Sequence, residues 1–284
     1  MAERYIEVDG LRTRWLEEGR GVPLMLLHGA SLGSSCDVWR GVLPLLAARG
    51  VRAIAPDLPG FGLTDNPGDH SLGFRTRFVP AFMEAAGMPS AWVLGHSQSG
   101  RIPVALALAA SAAVSGAIVV GTGSLLPPLP GASKGDGEGD EGAEAEPTLA
   151  RARALLEDNL YRRELITGAA VELRQRMSVG KNFAAFQARR AAKGPKASAG
   201  NDNAIPAWQR LGQVPVPLRL IYGREDRGHA AERVALARER DPALDIHLVE
   251  HARHLVHWDS PEVFTRLVAD FVAGNASVAR GSRA

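Results

Sequence analysis

The sequence predicts an α/β fold, with a mostly parallel central sheet, helices on both faces of the sheet and an inserted helical cap. Two observations carry this prediction. Apolar, strand-like runs alternate with helix-like segments between residues 23 and 120, and the alternation resumes after residue 213. In between, residues 124–212 show helical patterns but no convincing strand. Strands that alternate with helices favour parallel pairing, with both faces of the sheet buried.

The elements of the predicted core follow one another in a regular order. Residues on either side of Asp9-Gly10 alternate between apolar and polar, which predicts an opening antiparallel hairpin. The later strands are expected at residues 23–27, 51–55, 91–94, 117–120, 217–223 and 244–249. Helices are expected at residues 39–49, 75–86 and 98–113, and from residue 261 onward. We therefore assign residues 1–123 and 213–273 to the core.

The residues between the two core segments are predicted to form a helical cap, residues 124–212. Its helical stretches are expected at residues 149–161, 169–178 and 183–192. Residues 131–146 contain six acidic residues, five glycines and one lysine, a composition that buries too little apolar surface to order the chain. The expected loops are a flexible acidic loop at residues 131–146, a second cap loop at residues 194–203 and a flexible tail at residues 274–284.

Residues Val93–Gly100, with the sequence VLGHSQSG, carry the strongest functional pattern. An apolar run stops at Gly95, Ser97 follows, and an alanine- and leucine-rich helix pattern comes next. This is the layout of a nucleophile elbow, in which a serine hydroxyl is exposed at the carboxyl end of a sheet. The tight turn requires small residues on both sides of the serine, and Ser99 stands here in place of the usual second glycine. Ser97 is therefore the candidate nucleophile, or the group that orients a nucleophilic water.

A nucleophilic serine needs a base and a carboxylate that orients the base. Glu225 and Asp226 come directly after the strand pattern of residues 217–223, at the sheet edge where open parallel sheets place their sites. The two carboxylates compete for the role of the acid. We favour Asp226, because its shorter side chain lies deeper in the loop.

Three histidines follow the strand pattern at residues 244–249. We favour His254 as the base because it stands just ahead of the last predicted helix. His251 and His257 are interpreted as solvated loop residues. The chain order of serine, acid and histidine is then the order found in α/β-hydrolases.

An acyl-transfer site also needs hydrogen-bond donors for the oxyanion. The strand at residues 22–27 ends in a His-Gly loop, and we expect the backbone N–H groups of Ala30 and Gln98 to be these donors. His28 is interpreted as a residue that braces this loop. Asp57 is interpreted as a turn-stabilising residue rather than a catalytic acid.

Together these motifs resemble the α/β-hydrolase superfamily over residues 24–272. The elbow, the His-Gly loop, the DLPGFG turn, the Gly-Arg-x-Asp sequence and the terminal histidine stand in the family order. Within the superfamily the chain most resembles the meta-cleavage-product hydrolases, which hydrolyse carbon–carbon bonds in aromatic degradation. The segments that carry this narrower likeness are residues 155–161, 165–167, 171–174, 223–227 and 257–259.

The resemblance implies a cofactor-independent hydrolase that binds an organic acid. The lid arginine that matches Arg174 pairs, in that family, with the carboxylate of a vinylogous 1,5-diketone acid, a task that suits the planar guanidinium. An exposed arginine on a lid helix is the other reading of Arg174. Further substrate-binding positions are implied at His96, which replaces the family asparagine, at Asp37 and at Trp258.

Several departures from the family pattern leave the bond type open. Leu255 replaces the tryptophan after the catalytic histidine, Arg253 replaces the glycine before it, and Ser31-Leu32-Gly33 replaces Gly-Pro-Gly in the oxyanion loop. A carboxylesterase or lactonase acting on small esters is the alternative, although it would have no use for Arg174. A non-catalytic ligand-binding homologue is a further alternative, against which the complete set of serine, acid and histidine argues.

Composition excludes several other classes. The chain has 284 residues and a formal charge of +2, so no strong field favours nucleic acid or a membrane surface. Cys36 is the single cysteine, which excludes an internal disulfide and a cysteine-built metal site, and we expect no metal and no cofactor. The amino terminus reads as a strand rather than a signal peptide, and a cytoplasmic location is expected. Related enzymes are often oligomers, so a homodimer or homotetramer is expected.

Overall fold

The computed structural model describes residues 1–131, 145–192 and 205–281 of the chain. In this described part, eight strands form one sheet in the order β1-β2-β4-β3-β5-β6-β7-β8. The pairs β1–β2 and β2–β4 are antiparallel, and the other neighbours are parallel, as the alternating pattern predicts. The strands are β1 (Ala2–Val8), β2 (Leu11–Glu18), β3 (Val22–Leu27), β4 (Val51–Pro56), β5 (Ala91–His96), β6 (Val114–Val120), β7 (Leu218–Gly223) and β8 (Ile246–Val249).

Nine α-helices are found in the same part of the chain. They are α1 (Leu43–Ala47), α2 (Leu72–Ala85), α3 (Arg101–Leu108), α4 (Leu149–Asn159), α5 (Gly168–Arg176), α6 (Lys181–Ala192), α7 (Ala230–Arg240), α8 (Val256–Asp259) and α9 (Pro261–Gly281). None of the helices in the described ranges has the length and apolar character needed to cross a bilayer.

The opening hairpin turns where the sequence predicts. Val8 pairs with Leu11, so Asp9 and Gly10 form a two-residue turn with φ values of 50° and 75°. Positive φ at both central residues is the type I′ geometry that matches the twist of the flanking strands, and Asp-Gly is a favoured sequence for it.

Side chains of the central strands alternate between two helical layers. Leu24 and Leu26 of β3 belong to the core cluster that includes Phe264 of α9 and residues of α1. Met25 and Leu27 belong to the opposite cluster, with residues of α2 and α3. Because successive strand side chains point to opposite faces, one apolar strand supplies both layers. The sheet edge that carries the loops after β3, β5, β7 and β8 is thereby held in place.

Helices α4, α5 and α6 lie between β6 and β7 in the chain, where the cap is expected. Residues of α4 and α5 pack with Leu255, which lies in the loop after β8. Phe183 and Phe186 of α6 pack with Leu32 of the loop after β3. The cap helices therefore contact two loops at the carboxyl edge of the sheet. Most of the expected acidic loop and all of the expected loop at residues 194–203 lie outside the described residues.

Three helix predictions need correction. The helix expected at residues 98–113 ends at Leu108, because Ala110 adopts φ 54° and a Schellman motif closes the helix. In this motif the N–H of Ala110 donates to the Ala107 carbonyl and the N–H of Ser111 donates to the Leu106 carbonyl. The helix expected at residues 39–49 is a short 3-10 turn followed by α1, with Pro44 in the first turn of α1. The last helix extends past residue 274, where the tail was expected to begin, because α9 ends at Gly281.

Candidate active site

Ser97 lies at the sharp turn between β5 and α3, with φ 56°. The left-handed backbone conformation is costly for a residue other than glycine, and such strain clusters at functional sites. A Cβ atom at Gly95 would overlap the backbone carbonyl of Ser99, so the strand end must be glycine. The turn that exposes the serine hydroxyl therefore depends on close backbone packing.

A second constraint on this turn comes from Gly100, which the sequence pattern did not single out. A Cβ atom at Gly100 would overlap the hydroxyl of Thr122, and that hydroxyl donates a hydrogen bond of 2.6 Å to the Ser97 carbonyl. Thr122 follows β6, so the neighbouring strand helps to hold the strained turn. Position 99 accommodates a buried serine, whereas position 100 has no room for a side chain.

The structure brings Ser97, His254 and Asp226 together. His254 Nε2 lies 2.9 Å from Ser97 Oγ, and His254 Nδ1 lies 2.9 Å from Asp226 Oδ2. Both the histidine and the aspartate are largely buried, which strengthens the electrostatic interaction between them. This arrangement gives a serine hydroxyl a base, and gives the base a carboxylate that orients it.

Glu225, the competing carboxylate, has a different position. Its Oε2 accepts the backbone N–H of Ala252 at 2.9 Å, which ties the loop after β7 to the loop that carries the histidine. Asp226 Oδ1 also accepts the backbone N–H of Arg227 at 2.8 Å. The longer side chain thus links two loops, and the shorter one faces the imidazole.

The interpretation of His257 as a solvated loop residue is wrong. Its side chain is buried, with its ring centroid 4.1 Å from that of Trp39 and 5.3 Å from that of His96. Burial, and secondarily the charge of a protonated His254, lower the pKa of His257 to about 3. His251, by contrast, is exposed as expected.

The side chain of His96 packs against His254, the candidate base. Its Nε2 donates a hydrogen bond of 2.9 Å to the backbone carbonyl of His254, and the two ring centroids lie 4.7 Å apart. Burial lowers its pKa well below the usual value, so the ring is neutral. The structure therefore places His96 against the loop that positions the base.

The His-Gly loop after β3 approaches the nucleophile closely. A Cβ atom at Gly29 would lie 3.2 Å from Ser97 Cβ, so the two loops approach each other closely at this point. Ala30 and Gln98, the expected oxyanion donors, are the residues that directly follow Gly29 and Ser97. His28 braces this loop, because its Nδ1 donates to the Gly29 carbonyl at 2.7 Å and its Nε2 accepts the Leu58 N–H at 3.0 Å. The bracing interpretation of His28 agrees with these contacts.

Asp37, for which the resemblance implies a substrate-binding role, is hydrogen-bonded to two arginines. Its two carboxylate oxygens accept hydrogen bonds of 2.9 Å from Arg14, and Arg40 Nε donates to it at 2.6 Å. Burial raises the pKa of Asp37, but the hydrogen bonds and charge of Arg14 outweigh this effect and lower it to about 2. Asp57 lies in the same cluster and accepts the Leu63 N–H at 2.8 Å, a turn-stabilising contact.

Arg174 of α5 is buried, so the reading of an exposed lid arginine is wrong. Its Nη2 donates a hydrogen bond of 2.9 Å to Ser31 Oγ, in the oxyanion loop. Trp258 is half-buried, and its indole N–H donates to the Val38 carbonyl at 2.6 Å. Arg174 therefore reaches the loop next to the expected oxyanion donors, whereas the indole N–H of Trp258 is engaged by the backbone.

Asp259 is a site-supporting residue whose role the sequence did not reveal. Its carboxylate accepts the backbone N–H groups of Tyr161, Arg162 and Arg253, at distances between 2.9 and 3.1 Å. It thereby joins the end of α4 in the cap to the residue before the candidate base. No local motif predicts the contacts with the cap, since Tyr161 and Arg162 are about 100 positions away from Asp259 in the chain.

This geometry defines a class of protein. The chain belongs to the α/β hydrolase family, whose model matches residues 24–267. It is 28% identical to the 2-hydroxymuconate semialdehyde hydrolase of Pseudomonas sp. strain CF600, with 95% of this chain and 93% of the relative covered. It is also 28% identical to the 2-hydroxy-6-oxo-6-phenylhexa-2,4-dienoate hydrolase of Burkholderia cepacia, over 94% and 93% of the two chains.

Solved structures support the same fold. The meta-cleavage product hydrolase of Pseudomonas fluorescens IP01 superposes with a TM-score of 0.76 at 24% identity, covering 95% of this chain and 97% of that one. The 2-hydroxy-6-oxo-6-phenylhexa-2,4-dienoate hydrolase of Rhodococcus sp. strain RHA1 superposes with a TM-score of 0.80 at 19% identity, covering 96% and 98%.

Proposed function

We propose that this protein is a cofactor-independent serine hydrolase that cleaves a carbon–carbon bond in a vinylogous 1,5-diketone acid, as formed by meta-cleavage of an aromatic ring. The observation that carries the proposal is the juxtaposition of two groups. Ser97 and Asp226 each lie within hydrogen-bond distance of His254, and a buried arginine reaches the adjacent oxyanion loop. The names of the similar proteins, which are hydrolases of such dienoates, support the same substrate class.

His254 is the proton carrier in this scheme. In its neutral form it accepts a proton through Nε2, while Asp226 holds the proton on Nδ1 and stabilises the imidazolium that forms. Ser97, relieved of its proton, attacks the carbonyl carbon next to the bond that breaks. The backbone N–H groups of Ala30 and Gln98 stabilise the oxyanion.

Arg174 supplies what a carbon–carbon bond hydrolase needs and an esterase does not. A carbanion is a poor leaving group unless its charge is delocalised, and a dienoate provides that delocalisation after the dienol has become a ketone. A guanidinium paired with the terminal carboxylate holds the acid in the orientation that this proton shift requires. In the ketonisation, His254 takes the proton of the enol hydroxyl and delivers it to the carbon of the bond that later breaks. The imidazolium formed when Ser97 attacks then protonates the leaving dienolate, and a water molecule deprotonated by His254 hydrolyses the acyl ester on Ser97, which releases the second acid and restores the serine.

The bond preference is tested by offering both substrate types to the unmodified protein. We expect coloured ring-fission products to bleach at least 100-fold faster, in kcat/KM, than p-nitrophenyl esters release nitrophenol. Bleaching reports loss of the conjugated dienol, and chromatography of the two acids formed reports cleavage itself. A preference for the ester would contradict the proposal and favour a carboxylesterase.

Arg174→Gln separates the two functions within one protein. Removing a charged partner of a carboxylate should lower kcat/KM for the ring-fission product by about 100-fold, since a hydrogen-bonded charge pair contributes about 2–3 kcal/mol. The value for a neutral ester should fall far less. Arg176→Gln on the same helix is the matched control, because Arg176 is exposed. Equal losses on both substrates would contradict a carboxylate-binding role.

A further inference from the structure

The chain segment that carries His254 is anchored to the sheet core on one side. The N–H of Ala252 donates to Glu225 Oε2 at 2.9 Å, and the carbonyl of His254 accepts a hydrogen bond of 2.9 Å from His96 Nε2. Glu225 follows β7 and His96 ends β5. These two contacts fix the segment against the strands that also carry the nucleophile and the orienting aspartate.

The two residues that flank His254 are bound toward the cap. Before the base, the N–H of Arg253 donates to Asp259 Oδ2 at 2.9 Å, and the same carboxylate accepts two backbone N–H groups just beyond the end of α4. After the base, the N–H of Leu255 donates at 3.0 Å to the carbonyl of Asn159, the last residue of α4. The end of one cap helix thus binds the chain on both sides of the imidazole.

The side chains of the same two flanking residues also contact α4. Arg253 Nη1 donates at 3.2 Å to the Glu157 carbonyl in the last turn of α4, where the helix dipole favours a positive charge. Leu255 packs with Ala152 and Leu156 of the same helix. Position 253 is a glycine in the family pattern, and a glycine has no side chain that makes such a contact. The link through the guanidinium is therefore a feature of this chain.

The position of this segment matters because His254 serves two partners at once. Its two ring nitrogens each lie 2.9 Å from a different side chain, Ser97 on one side and Asp226 on the other. A misplacement of a reacting group by about 1 Å can lower a rate by about 100-fold. Contacts that fix the backbone on both sides of the imidazole therefore act directly on the rate of proton transfer.

We propose that Arg253 and Asp259 are positioning residues that hold the base, His254, against the end of cap helix α4, so that the cap completes the proton relay in addition to supplying Arg174. Each acts through the backbone that carries the imidazole. This inference rests on the proposed function in taking His254 as the proton carrier, but it does not depend on which bond is cleaved.

The test combines a spectroscopic and a kinetic measurement on Arg253→Met, which removes the guanidinium and keeps an apolar stem. The proton that His254 Nδ1 shares with Asp226 is followed as a far-downfield proton NMR resonance of the free protein, assigned by its absence from His254→Ala. We expect this resonance to lose most of its intensity in Arg253→Met. For the substrate that the unmodified protein turns over fastest, kcat should fall by about tenfold while KM stays within about twofold. Arg253→Lys should restore part of both signals.

Arg163→Gln is the matched control. Arg163 Nη1 donates to the same Glu157 carbonyl at 2.6 Å, but from an exposed position outside the segment that carries the base. Its replacement should leave the resonance and kcat unchanged. Asp259→Asn is a second variant, which loses one carboxylate oxygen as an acceptor and should lower kcat at least as much as Arg253→Met. Unfolding curves establish that each protein is folded at the assay temperature.

An unaltered resonance and kcat in folded Arg253→Met would overturn the inference. Equal losses in Arg163→Gln would also overturn it, because they would assign the effect to the stability of α4 rather than to a link with the base. A rise in KM at constant kcat would contradict it as well. Failure of the proposed function is distinguishable, since it would show as ester turnover without carbon–carbon cleavage by the unmodified protein and would leave the NMR comparison unaffected.

Discussion

Three histidines share one buried cluster, and their contacts distinguish them. Only His254 has both a serine and a carboxylate at its ring nitrogens. His96 bonds a backbone carbonyl, and His257 stacks on Trp39. The position of His254 after a strand could be predicted from local sequence. The burial of His257 could not, because the aromatic ring that covers it lies more than 200 positions away.

His257 makes stability dependent on pH. Its pKa is about 3 in the folded protein and about 6.5 in the unfolded chain. The unfolded chain therefore binds the proton first, so the contribution to stability is complete above about pH 6.5 and is lost as the pH falls toward 3. His96 acts in the same direction.

Urea unfolding at several pH values tests this expectation. The free energy of unfolding should fall between pH 7 and pH 4.5, and His257→Phe should remove about 2 kcal/mol of that fall. His251→Asn, at an exposed histidine, is the control and should leave the pH dependence unchanged. An identical slope in wild type and His257→Phe would contradict a neutral, buried imidazole.

At the scale of elements, local patterns predict those structures whose causes are local. The Asp9-Gly10 turn and the elbow at Gly95 both follow from backbone sterics, and both appear where the sequence places them. The end of α3 could not be predicted, since an alanine closes it where a glycine is usual. The ion pair of Asp37 could not be predicted either, because its partner Arg14 lies on β2, 23 positions earlier in the chain.

Asp37 joins β2 to the 3-10 turn that follows the oxyanion loop. We expect Asp37→Asn to lower the free energy of unfolding by about 3 kcal/mol, because it leaves the buried charge of Arg14 without its main partner. The KM for a ring-fission product should change little. Arg40→Gln, at a half-exposed partner of the same carboxylate, should cost less than about 1 kcal/mol. A large rise in KM with unchanged stability would contradict this expectation and support the substrate-binding role that the resemblance implies for Asp37.

At the scale of the whole molecule, the site is assembled from segments far apart in the chain. Loops after β3, β5, β7 and β8 supply the reacting groups, and α5 of the cap supplies Arg174. The order of strands and helices predicts that these loops share one edge of the sheet. The position of the cap helices on the core could not be predicted from the sequence, because it depends on long-range contacts such as those of Asp259 and Leu255.

The most direct test of the account is whether Ser97 and His254 act as one unit. Product formation is measured for Ser97→Ala, His254→Ala and the double variant, with unfolding curves to check that each protein is folded. Each single change should lower kcat/KM by about 1,000-fold or more, and the double change should cost no more than about tenfold beyond the worse single change. Unaltered turnover by Ser97→Ala, or losses that multiply in the double variant, would contradict a shared proton relay.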